Sequence, residues 1–283
     1  MNFKNLFFFC SLLFSTTVFT QKITCSPKDK EIFSEKIIAL QKMNISNNSL
    51  GKKIAHIGAS FIGTPYVAKT LEINSKERLV INLQGLDCTT FVENVLALGF
   101  MLHDQKKDFE TYTAFLEKIR YRDGKLNGYA SRLHYFSEWI SNNEEKKLIK
   151  NVTDQIGGQD IDKQINFMST HRSLYPYLED DTNYTKIQQS EIKISESPIC
   201  FLPKNKIVEN ENLIKTGDII ALTTSINGLD ITHTGFALRK ESGRIHLLHA
   251  SSKGQVEISE LPLADYLEGI KHNTGIIVSR VRQ

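Results

Sequence analysis

The chain has 283 residues, 40% hydrophobic and 24% charged, an ordinary globular balance that excludes disordered and collagen-like classes. Its net charge of +3 comes from 35 basic and 32 acidic residues spread along the whole sequence. There is no basic block, so nucleic acid is not an expected partner.

Lys4 followed by the apolar run Leu6 to Phe14 reads as a signal peptide over residues 1–20, with cleavage before Gln21. The run is too short to span a bilayer, so no stable membrane insertion is expected after its removal. Cys25 follows Lys22-Ile23-Thr24 and lacks the small apolar flank of a lipoprotein cysteine, so no lipid anchor is expected there. Cys25, Cys88 and Cys200 would remain, an odd count that leaves at least one unpaired in an oxidising compartment. A Cys25–Cys200 pair with Cys88 free is one arrangement, but nothing in the sequence shows that those two meet.

Residues 29–48 have helical spacing through Ile32, Phe33, Ile37, Leu40 and Met43, and Lys52 to Phe61 predicts a second helix. Gly63-Thr64-Pro65-Tyr66 breaks the pattern, and Leu79 to Leu83 predicts a strand. After Gly85, an amphipathic helix is predicted from Cys88, with Val95 and Leu102 on its apolar stripe. Asp87 suits its N-cap, while Thr90 with Glu93 also fits a capping box and would move the start by three residues. Either register sets Cys88 at the positive end of a helix dipole, which predicts a thiol pKa lowered to roughly 3.5–7.5. Cysteine is also a common core residue, so only partners elsewhere can decide its role.

Residues 106–150 look helical, with breaks at Asp123-Gly124 and Asn127-Gly128, and residues 151–205 carry no clear pattern. Strands are predicted over 218–222, 233–238, 244–250, 256–259 and 275–281. A helical half followed by an antiparallel meander is an α+β class.

Two strands carry His233 and His249. A hairpin loop of Lys240-Glu241-Ser242 sets His233 opposite His249, where one imidazole can orient the other. Cys88, His233 and His249 would then supply nucleophile, base and orienter. His246 points away from His249 and there is no His-Glu-x-x-His, so neither metal nor other cofactor is expected. A Gly-x-Ser-x-Gly elbow is also missing from the sequence.

Leu86-Asp87-Cys88-Thr89-Thr90-Phe91 resembles the Asp-Cys-Ser-x-Phe/Leu signature of NlpC-type cell-wall hydrolases, a papain-like group. In the same order, Gly63 to Tyr66 resembles their Gly-x-x-Tyr element and Thr216 to Ile220 their Gly-Asp-Leu-Val strand. His233 to Ala237 resembles their His-Val-Gly-Ile-Tyr, and Leu248 to Ser251 their Ile-His-Ala-Ser. Thr89 departs from the usual Ser. Ser131-Arg132-Leu133-His134-Tyr135 and Phe167-Met168-Ser169 are similar to the N-acetylmuramoyl-L-alanine amidase-like branch.

The resemblance implies a papain-like α+β catalytic domain over 21–283, with a mainly helical insert at roughly 104–212. It implies Cys88 as nucleophile, His233 as base, His249 as orienter and Tyr66 at the oxyanion or substrate. Peptidoglycan fragments (muropeptides) would be the partner and the periplasm the location. The expected reaction is hydrolysis of the amide between N-acetylmuramic acid and L-alanine. The alternatives are D-glutamyl–diamino-acid endopeptidase activity and a non-catalytic wall-binding module. Muropeptides carry carboxylates, so Arg132, His134 and Tyr135 are candidate substrate residues, followed by His171 with Arg172.

Overall fold

The computed structural model describes residues 23–43 and 48–282; the expected signal segment, residues 1–20, lies outside them. Ser26 caps α1 (Pro27–Lys42) in a capping box with Asp29. The described part of the helix ends at Lys42, residues 44–47 of the expected span lie outside the described residues, and α2 (Leu50–Ala59) follows. Asp87 caps α3 (Cys88–His103), accepting from Thr90 N at 2.8 Å while Thr90 Oγ1 accepts from Asp87 N at 2.9 Å. Of the two starts, the one at Cys88 therefore forms. Glu93 does not cap; its Oε2 lies 2.6 Å from Nε of buried Arg120, at the end of α4 (Phe109–Arg120).

α3 is buried on all sides from Thr90 to Met101, a central helix rather than one with a single apolar stripe. Gly99 allows α2 to close on it: a Cβ at that position would meet Ile54 Cδ1 at 2.1 Å. β1 (Ile23–Cys25) pairs in parallel with β2 (Leu79–Ile81) outside the main sheet.

The segment after α4 contains α5 (Phe136–Glu145), β3 (Ile149–Asn151), β4 (Gln159–Ile161), α6 (Phe167–Thr170), α7 (Asp181–Ser195), β5 (Ile199–Pro203) and α8 (Ile207–Asn210). Then come β6 (Ile219–Thr224), β7 (Ile231–Arg239), β8 (Ile245–Ala250), β9 (Val256–Ile258), α9 (Leu263–Glu268) and β10 (Asn273–Val281). Among the described residues the main sheet runs β4-β5-β10-β6-β7-β8-β9, with β3 also on β10.

One expectation is corrected here. The fifth predicted strand, β10, does not extend the meander beyond β9 but returns to pair antiparallel with β6. Within the mainly helical insert, β3, β4 and β5 widen the sheet on the far side of β10. The sheet is buried on both faces. Along β6, Ile219 and Ala221 join the core made with α2 and α3, while Ile220 and Leu222 join a second core with Leu263 and Leu267 of α9. This makes β6 continuously apolar where a half-exposed strand would alternate. Cys25 and Cys200 do not pair; both are free thiols.

Candidate active site

The Asp87 cap puts Cys88 at the first position of α3. Phe91, one turn on, meets Phe236 of β7 edge-to-face at 5.7 Å, which docks the start of the helix on the sheet. The Thr234 N–H of β7 and the hydroxyl and N–H of Thr89 on α3 favour the thiolate at Cys88.

The β7–β8 register differs from the predicted one by two residues. Phe236 faces Leu248 and Arg239 faces Ile245, so the loop is longer than Lys240–Ser242 and Gly235, not His233, comes to lie across from His249. A shift of two keeps every side chain on its face. His233 and His249 are therefore diagonal neighbours, and His233 Nε2 lies 2.6 Å from His249 Nδ1. Gly235 makes the approach feasible, since a Cβ there would stand 2.9 Å from His249 Cβ and 2.6 Å from Leu248 O. The far nitrogen of His249, Nε2, is buried with no hydrogen-bond partner, and its ring meets Tyr266 edge-on at 5.5 Å.

Cys88 and His233 line one small cavity of about 150 Å³. His134, Tyr135, Met168 and Tyr175 of the insert close its other side, together with Asp230 before β7. The insert thus walls the cavity and does not pack away from it.

Burial controls the protonation of these groups. It pushes the Cys88 thiol up to about 11, helped by the Asp87 carboxylate and only partly offset by the N–H groups of Thr234 and Thr89. The sequence-based expectation of a lowered thiol pKa is thereby reversed, because desolvation outweighs the helix end. Burial, and then His249, lower His233 to about 3; burial, and then Lys253, lower His249 to about 4. Thiol and imidazoles are all neutral at neutral pH.

His134 is held neutral as well, by burial and then Arg132. Its Nε2–H donates to Tyr129 O at 3.0 Å, which leaves Nδ1 as an acceptor. Tyr135 offers only its ring, because its hydroxyl donates to Glu191 Oε1 at 2.7 Å and accepts from Met168 N at 2.8 Å. Tyr66 lies outside the cavity lining but close to the sulfur: burial, then Cys88 and Asp87, raise its phenol.

Arg132 departs from the substrate role expected for it. Its guanidinium is buried between Glu72 (3.4 Å) and Glu77 (3.3 Å) under the Tyr129 ring, and it does not line the cavity. His171 and Arg172 are also elsewhere. His171 Nδ1 is 2.8 Å from Phe167 O, and Arg172 pairs with Asp181 at 2.6 Å. Asp230 went unnoticed because it follows the Asn227-Gly228 turn and reads as a turn residue. It is 3% exposed, and its carboxylate accepts from Ser137 N and Ile231 N at 2.7 Å each. Among the described residues no three His, Cys, Asp or Glu side chains are grouped as metal ligands, and no helix is long and apolar enough to cross a membrane.

Residues 56–276 match a family model described as AmiA-like, N-acetylmuramoyl-L-alanine amidase-like. A crystal structure of an N-acetylmuramoyl-L-alanine amidase from Bacteroides uniformis ATCC 8492 superposes with a TM-score of 0.78 at 38% identity, over 83% of this chain and 99% of that one. A candidate xylanase from Bacteroides fragilis superposes with a TM-score of 0.75 at 40% identity, over 80% of this chain and 100% of its own. A Legionella pneumophila str. Philadelphia 1 protein of the DUF1460 family model shares the fold at 22% identity and a TM-score of 0.67, over 90% of this chain and 96% of its own. No curated protein matches. With the family model covering most of the chain, and the amidase aligned along nearly its whole length, this protein belongs to the AmiA-like, N-acetylmuramoyl-L-alanine amidase-like family.

Proposed function

We propose that the protein hydrolyses the amide between N-acetylmuramic acid and L-alanine in peptidoglycan fragments, by a papain-like mechanism with Cys88 as nucleophile. One observation carries this reading: His233 shares a cavity with Cys88 and is held at 2.6 Å by His249. A base positioned by a third group and facing a nucleophile is the arrangement that acyl transfer needs.

With His233 Nε2 facing His249, Nδ1 is the nitrogen left for the thiol. That requires the tautomer in which His233 Nε2–H donates to His249 Nδ1, so that His249 carries its own proton on Nε2. As the sulfur attacks the carbonyl, the thiol proton passes to His233 Nδ1 and an oxyanion forms. The Cys88 backbone N–H, which has no acceptor among the described residues, and the Tyr66 hydroxyl are the donors suited to hold it. The C–N bond then breaks, and His233 returns the proton to the departing alanine amine. Water, deprotonated by His233, hydrolyses the thioester and restores the thiol.

The family relationship supports amidase specificity over endopeptidase specificity. The walled cavity supports soluble fragments over intact wall. The reading of residues 1–20 as an export signal supports the periplasm as the place of the reaction. Incubation with a MurNAc-tripeptide should release free sugar and intact tripeptide. Release of MurNAc-dipeptide would refute the bond assignment while sparing the nucleophile.

A further inference from the structure

A larger cavity, about 690 Å³, lies beside the Cys88 cavity. Tyr129 lines it, and His134, which lines the Cys88 cavity, lies against the Tyr129 ring at 4.4 Å. Tyr175 belongs to the Cys88 cavity, and Tyr177, two residues on, belongs to the larger one. Tyr129 and Tyr177 stack in parallel at 4.7 Å to form an aromatic wall.

The rest of the lining is rich in carboxylates: Glu72, Glu77, Glu179 and Asp180. Arg132 offsets Glu72 and Glu77 from behind, and Lys76 is the cation in the lining, so Glu179 and Asp180 leave the surface negative. Three buried polar atoms among the lining residues lack partners: Glu77 Oε2, the Tyr129 hydroxyl and Asn74 Nδ2. Glu77 Oε2 belongs to a side chain 1% exposed, and the Tyr129 hydroxyl to a residue 2% exposed. Buried polar atoms are rarely left unpaired, so the orphan Glu77 oxygen in an acidic cavity points to a donor on the ligand, and the orphan Asn74 amide to an acceptor beside it. The carboxylates do not converge as metal ligands, and the cavity is broad and aromatic on one side. Those features suit an organic ammonium group, which pairs with carboxylates and lies well against tyrosine faces.

We propose that this cavity is a subsite for the ammonium-bearing side chain of the peptide whose amide lies at Cys88. The proposal rests on the amidase reading above and gives it a preference for peptides that carry a free side-chain amine.

Two MurNAc-tripeptides identical except for acetylation of the side-chain amine of the third residue test it. With the full-length protein, acetylation should raise KM about fivefold and leave kcat unchanged, the range for partly exposed ion pairs. A Glu179→Gln, Asp180→Asn double variant should raise KM for the free amine by a similar factor and leave the acetylated substrate unaffected. Asn at 180 can still cap α7. Equal KM values for the two substrates in the unaltered protein, or a double variant that affects both alike, would overturn the subsite. If neither substrate is cut at the sugar–alanine bond, the amidase reading fails separately. Calorimetric titration of Cys88→Ala with the two substrates then decides: about fivefold weaker binding of the acetylated form upholds the subsite, and equal binding refutes it.

Discussion

His233 and His249 meet at 2.6 Å from diagonal, not opposite, positions on β7 and β8, across a residue that has no side chain. Gly235→Ala should therefore damage the site without touching either imidazole chemically. A methyl group 2.9 Å from His249 Cβ must push it away from His233. We expect kcat to fall by about 10²-fold with KM little changed, the scale of losing an aligned base. Steady-state kinetics check this, and full activity in the variant would show that the histidine pair is not part of the machinery.

Cys88→Ala should abolish hydrolysis, by about 10⁴-fold or more, and leave the circular dichroism spectrum intact. His233→Ala should be equally severe. His249→Ala should be milder, since it removes only orientation. Residual turnover in Cys88→Ala near that of the parent protein would exclude a cysteine nucleophile.

Thiol reactivity tests the electrostatics. With the thiol pushed up to about 11, thiolate is scarce at neutral pH and increases with pH up to that value. Alkylation of Cys88 by iodoacetamide, read residue by residue by mass spectrometry, should accelerate about tenfold per pH unit between pH 7 and pH 9. A rate that is already on a plateau at pH 7 would instead mean a preformed thiolate–imidazolium pair.

Three desolvated histidines, His249 buried and His134 and His233 partly so, make folding sensitive to acid. His134, His233 and His249 all have folded pKa values below the ordinary 6.5. Between 6.5 and those values the unfolded chain binds the extra protons, so their contribution to stability is full above about pH 6.5 and declines as pH falls. Buried Glu77, Glu93 and Asp230 have raised values and act in the opposite sense. A site-resolved reading is therefore the clean one: the imidazole NMR signals of the three histidines should not titrate between about pH 7.5 and pH 5. Titration of any of them near 6.5 would contradict the burial argument.

Arg132→Ala should be a stability variant. It strips two largely buried carboxylates, Glu72 and Glu77, of their partner, which costs about 3–5 kcal/mol. Urea denaturation measures it. Unchanged stability together with a raised KM would restore the substrate role first expected of this residue.

The export signal proposed for residues 1–20 is open to a direct check. The exported protein should begin at or near Gln21 by N-terminal sequencing; an intact Met1 outside the cytoplasm would rule cleavage out.

Local chemistry was readable from the residues alone. The Asp87 cap, the start of α3 at Cys88, the strand character of β6 to β10 and the shared face of His233 and His249 follow from capping and two-residue alternation. Those rules act over a few neighbouring residues, and a register slip of two leaves faces unchanged. Long-range partners decided the rest. Arg132 looked like an anion binder, but carboxylates some 55 to 60 positions earlier in the chain, Glu77 and Glu72, take its charge. β10 looked like the end of a meander, but the edge of β6 that faces away from β7 needed a hydrogen-bonding partner, so the last strand returned to it. The Cys88 thiol looked activated by its helix end, but the insert and sheet wall a narrow cavity around it, and desolvation outweighed a partial charge. Burial is a property of the assembled core, and no window of sequence contains it.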